Sequence, residues 1–164
     1  MAEQFTDAIA LLKADHRTVE ALFEKFKDAR GASKHAIADR ICDELKIHTL
    51  LEEEIFYPAF EGKIDKADVQ EALIEHDSTK VLINDLSTSN RDEFYDAKVK
   101  VLAEEIEHHF HEEEAPKKGL FSQCRDKGVD LVALRDEMLA RRAELEALAK
   151  KKGLPEIELT AISA

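Results

Sequence analysis

Two stretches of this sequence decide its fold: His48-Thr49-Leu50-Leu51-Glu52 and, later in the chain, His109-Phe110-His111-Glu112-Glu113. Each sets a glutamate four residues after a histidine, inside a segment of helical periodicity. On a helix that spacing stacks imidazole and carboxylate on one face, about 6 Å apart. The apolar residues on the same face extend the pattern. Ile41, Leu45, His48, Glu52 and Ile55 run in steps of four and three, as do Leu102, Ile106, His109 and Glu113. Choosing His108 and Glu112 instead would bring Glu105 onto the apolar stripe as a buried unpaired charge, so His109 and Glu113 are the inward pair.

Working outward, the pattern predicts four long helices and a fifth. The first spans about Thr6 to Ala29 (Ile9, Leu12, Val19, Phe23 and Phe26 inward), closed by Gly31. The second, capped by Ser33, ends at Pro58 and Gly62. Asp65 caps the third, which carries Val69, Ala72, Ile83 and Leu86 and ends in the polar run Ser87-Thr88-Ser89-Asn90. Asn90, with Glu93, opens the fourth, which stops at Pro116 and Gly119. After a connector, a fifth helix spans Leu131 to Lys152, closed by Gly153 and Pro155, and the last nine residues read as a frayed tail. The fold class is all-α: an up-down-up-down four-helix bundle over residues 1–125, with an additional C-terminal helix and tail over 126–164 packed on it.

Two more histidines complete a layer. His16 and His76 lie on the apolar stripes of the first and third helices. In antiparallel neighbours, residues at one height lie equally far from the turn. The midpoint of His16 and His48 is position 32, beside Gly31; that of His48 and His76 is Gly62; that of His76 and His109 falls between Arg91 and Asp92. Three midpoints on three inferred turns place all four histidines at one level. Burying four imidazoles and two carboxylates without a cation costs several kcal/mol per unpaired charge. His16, His48, Glu52, His76, His109 and Glu113 are therefore candidate metal ligands. Nitrogen and oxygen donors suit iron, manganese or zinc, and six are too many for one tetrahedral zinc. Two non-haem iron ions bridged by the glutamates are the first candidate.

Composition sets bounds. The 164 residues carry a net charge of −12, which argues against nucleic acid and anionic membranes as partners. No stretch has the length of a membrane span, and the acidic start does not read as a signal peptide. Cys42 and Cys124 are isolated, as in a reducing, cytoplasmic setting, and read as inert small hydrophobes. His35 reads as surface, His108 and His111 as facing solvent or the fifth helix, and Tyr57 and Pro58 as helix terminators.

The pattern resembles the hemerythrin-like, or HHE cation-binding, family: a histidine, His-x-x-x-Glu, a histidine and His-x-x-x-Glu on four successive helices. The flanking words Ala14-Asp15-His16-Arg17, Glu53-Glu54-Ile55-Phe56-Tyr57-Pro58 and Glu75-His76-Asp77 are similar too, over about residues 5 to 125. The resemblance implies a di-iron protein that binds oxygen, nitric oxide, peroxide or a related small ligand for sensing, storage or detoxification. A di-iron oxidase or an iron donor to iron–sulfur repair is the alternative, and a metal-free helical interaction module is another. Whether it is an enzyme stays open. One departure stands out: oxygen carriers of the family have a second histidine one turn away on the third helix, where this chain has Ala72 and Lys80. Glu20, one turn after His16, is the nearest carboxylate in sequence to fill the gap.

Overall fold

The computed structural model describes residues 4–88 and 91–163. Helix α1 spans Ala8–Asp28, and its first turn is held by the Asp7 carboxylate, which accepts the Ala10 N–H at 2.8 Å. Helix α2 spans Gly31–Leu51. Gly31 does not close the first helix, and Ser33 does not cap the second. Ala29 and Arg30 are extended, and Gly31, at φ +55°, swings the chain directly into α2, so Ser33 already lies inside it.

The second helix then widens. Residues Glu52–Phe56 form one π-helical turn, with the Tyr57 N–H reaching the Glu52 carbonyl, before α3 (Tyr57–Ala59) finishes the rod. Such a turn holds one extra residue, so positions beyond Glu52 rotate out of the ordinary phase. Phe56 and Tyr57 are buried where the α-helical count had placed Ile55, which is only half-buried. Pro58 sits inside the last turn and does not stop the helix. The stop comes at Phe60, followed by a turn through Gly62 at φ +73°.

Helix α4 (Lys66–Leu86) is capped by Asp65, as expected, through the N–H groups of Ala67 and Asp68. The inferred cap Asn90 lies outside the described residues. Helix α5 (Tyr95–Glu114) begins later than the sequence reading, after Asp92 accepts the Phe94 N–H at 2.9 Å. The connector contains a short helix, α6 (Leu120–Cys124), and α7 (Leu131–Lys152) is opened by Asp130 and closed by Gly153. No strand occurs among the described residues, and none of their helices is long and apolar enough to cross a membrane.

Helices α1, α2, α4 and α5 pack in cyclic order, with α7 laid against α1 and α2. Two apolar clusters fill the interior. One joins Leu11, Leu51, Phe56 and Phe60 to Leu134, Met138 and Leu145 of α7; the other is built on Phe23, Ile41, Leu45, Ile83 and Leu102. Between them lies a buried polar layer. The described residues of the tail are not frayed. Ile157 is buried and exchanges two 2.9 Å hydrogen bonds with the Asn84 side chain, and the N–H groups of Thr160, Ala161 and Ile162 all donate to the Asp77 carboxylate. A buried acceptor one residue from His76 holds this segment down.

Candidate metal centre

The polar layer contains all six side chains singled out from the sequence. Each of the four long bundle helices contributes one histidine, and α5 and the π-helical turn add the glutamates. All six residues are at most 3% exposed. The Nε2 atoms of His16 and His48 lie 3.2 Å apart, and those of His76 and His109 lie 3.0 Å apart. The glutamates span these two pairs. Glu52 Oε1 is 3.2 Å from His48 Nε2 while its Oε2 is 3.2 Å from His76 Nε2. Glu113 Oε2 lies 3.3 Å from His16 Nε2 and 3.5 Å from His109 Nε2.

Donor atoms of His16, His48, Glu52 and Glu113 fall within 4.8 Å of one another, as do those of Glu52, His76 and His109. Glu52 Oε1 and Glu113 Oε2 are buried without a hydrogen-bond partner. Orphaned carboxylate oxygens facing paired imidazole nitrogens are a donor set that fits cations. Burial alone would depress the His48 pKa, but the Glu52 charge and the Asp15 contact hold it well above the ordinary value. His76 likewise is raised to about 9, against its burial, by Glu52 and Glu53. Burial opposes ionisation of Glu52, yet the two histidines keep its pKa well below the usual range. The site attracts positive charge.

The outward nitrogen of each of these four histidines meets a carboxylate to which the sequence analysis assigns no role. His16 Nδ1 lies 2.6 Å from Glu114, His48 Nδ1 3.2 Å from Asp15, His76 Nδ1 2.9 Å from Glu53 and His109 Nδ1 2.5 Å from Glu75. With Nδ1–H donating outward, Nε2 is free to ligate. Each of these carboxylates adjoins one of the six in sequence but serves a histidine on the next helix round the bundle. A step of one residue turns about 100° on a helix, from the bundle axis toward the neighbour. That adjacency was the available signal.

Tyr57 also belongs here. Its hydroxyl donates to Glu113 Oε1 at 2.7 Å and lies 3.4 Å from Glu52 Oε2, and its ring stacks on His76. Burial and then the two glutamate charges push its pKa well above the ordinary value, so it stays a donor. Phe110 stacks flat on His16, with ring centroids 3.6 Å apart.

Other expectations resolve differently. Glu20 pairs with Arg17 at 3.0 Å, 41% exposed, outside the centre. Lys80 turns its ammonium away, to Glu53 and Asp77. Ala72 is small and lines a cavity of about 540 Å³ shared with His109, Glu113 and Leu120. His108 is 63% exposed and pairs with Glu112 at 3.2 Å. His35 is half-buried against Tyr95, not fully on the surface.

This is the layered bundle of a cation-binding helical protein, and comparison with known proteins says which kind. Residues 7–116 match the Hemerythrin HHE cation binding domain. The chain belongs to that family. Its fold is similar to the crystal structure of a hemerythrin HHE cation binding domain-containing protein from Mycobacterium kansasii, with a TM-score of 0.73 at 21% identity, over 92% of this chain and 96% of that one. No curated protein matches the chain significantly.

Proposed function

We propose that this chain is a dinuclear non-haem iron protein that binds oxygen or a related small ligand such as nitric oxide or peroxide. The observation that carries the reading is the way each buried glutamate spans both histidine pairs, Glu52 with one oxygen toward each and Glu113 with Oε2 between them. His16 and His48 would hold one ion, His76 and His109 the other, with Glu52 and Glu113 shared. Manganese or zinc would suit the same nitrogen and oxygen donors. Iron in this setting supplies reversible one-electron chemistry to a small ligand.

The chain's own residues do the rest. Two apolar clusters exclude bulk water above and below the layer. Ala72, on one of the two turns flanking His76 where a second histidine would stand, leaves room beside His109, and the adjoining cavity gives a small molecule a way in. Tyr57 holds a proton at its hydroxyl against Glu113 and fixes that carboxylate. The two orphaned oxygens count against a metal-free interaction module.

The test is metal analysis of protein purified without chelators, joined to anaerobic and aerobic spectra. Two irons per chain and a charge-transfer band that appears with oxygen are expected. Reversal of the band on deoxygenation separates binding from oxidation. One metal per chain, or none after anaerobic iron loading, overturns the reading.

A further inference from the structure

The family match stops at residue 116, yet residues far beyond it reach the back of the metal centre. On one side, Arg142 of α7 donates to Asp15 Oδ2, the same oxygen that lies 3.2 Å from His48 Nδ1. Arg142 is only 16% exposed and Asp15 9%, so water competes weakly for this contact. On the other side, the Thr160 hydroxyl donates to Glu53 Oε2 at 2.7 Å, while Glu53 Oε1 lies 2.9 Å from His76 Nδ1. Lys80, fully buried, ties the group together by donating to Glu53, Asp77 and the Thr160 hydroxyl. The three successive backbone N–H groups on Asp77 clamp the segment that carries Thr160.

The arrangement is paired. His48 sits with His16 and His76 with His109, so each half of the centre has one histidine backed from the C-terminal extension. A carboxylate free to rotate cannot fix an imidazole, and loss of a partner behind a ligating histidine typically costs tenfold to a hundredfold in metal affinity.

We propose that the C-terminal extension is a working part of the metal centre. Arg142 and Thr160 are positioning residues that lock Asp15 and Glu53, so that His48 and His76 each present Nε2 inward. This rests on the dinuclear reading above. The bundle supplies the ligands, and the extension sets how tightly they hold.

The experiment loads the full chain with iron(II) under anaerobic conditions and follows its release to a colorimetric iron(II) chelator. Arg142→Ala and Thr160→Ala are each expected to release iron about tenfold faster than the parent. Each should speed only its own half of the total, and the double variant should speed both. Thr160→Ser should restore parental release. Arg141→Ala is the control: it breaks a neighbouring α7 contact to Glu54, which touches no ligand histidine, and should release iron at the parental rate. Parental release from both Arg142→Ala and Thr160→Ala overturns the inference, as does equal acceleration by Arg141→Ala. A parent chain that takes up no iron overturns the dinuclear reading itself, a separate result visible before any variant is compared.

Discussion

Tyr57 donates its hydroxyl hydrogen to Glu113 Oε1 at 2.7 Å, joining the second helix of the bundle to the last across the buried polar layer. The π-helical turn makes this possible by carrying Tyr57 round to the face of Glu52. Removing the donor strands a buried carboxylate oxygen, at a cost of about 1–3 kcal/mol. Tyr57→Phe should therefore destabilise the metal-free chain by about that amount. With metal bound, Glu113 has a cation to satisfy it, and the loss should shrink. Urea unfolding with and without chelator measures both, and an equal loss in the two states would show that Tyr57 stabilises the fold without serving the centre.

The phase of α5 gives a second test. Glu52 is wholly buried among histidine nitrogens, whereas Glu112 is 45% exposed and faces His108. Glu52→Ala should lose bound metal while Glu112→Ala keeps nearly all of it, measured as metal per chain after desalting. Equal losses would place Glu112 in the centre in place of Glu113.

The four long helices and the single level of the histidines were legible in the sequence because both depend on local quantities: apolar period, cap chemistry and distance from a turn. What escaped depended on contacts between distant segments. The roles of Asp15, Glu53, Glu75 and Glu114 were not legible because a position on one helix does not reveal which neighbour its side chain faces. Tyr57 escaped because the count of 3.6 residues per turn fails across a π-helical turn. The tail read as frayed because its anchors, Asp77 and Asn84, lie on α4, some eighty residues earlier in the chain. Gly31 was identified as a turn residue, but its positive φ served the start of α2 and not the end of α1.

Cys42 sets a pH expectation remote from the centre. Burial pushes its thiol up to about 11, outweighing the favourable contact with Ser87. The folded chain holds the neutral thiol, while the unfolded chain ionises near the ordinary value of about 8.5. This contribution to stability is whole below about pH 8.5 and is lost as pH rises from there through 11. Alkylation of Cys42 at pH 8 should be slow in the native chain and rapid in urea. Native alkylation as fast as in urea would mean an accessible thiolate.

Metal removal tests the centre as a whole. A ligand that binds the folded chain and not the unfolded one adds about 2.7 kcal/mol at a hundredfold excess over its dissociation constant. For a domain of this size that corresponds to roughly 5–10 °C in melting temperature. Ligands must shed protons to bind, so acid weakens the metal's hold, and the increment should fade as pH falls. Chelation should thus lower the melting temperature at neutral pH and change it much less at about pH 5, because protons compete for the His76 imidazole from about pH 9 downward and hold it more firmly as pH falls. Helix content below the transition should persist without metal, because the apolar clusters on either side of the layer contain none of the six ligands. Thermal unfolding followed by circular dichroism, with and without chelator at both pH values, separates these effects. An unchanged melting temperature at neutral pH after verified metal removal would mean that the buried histidines and glutamates satisfy one another, and the centre would then be a polar core layer and not a site that holds a cation.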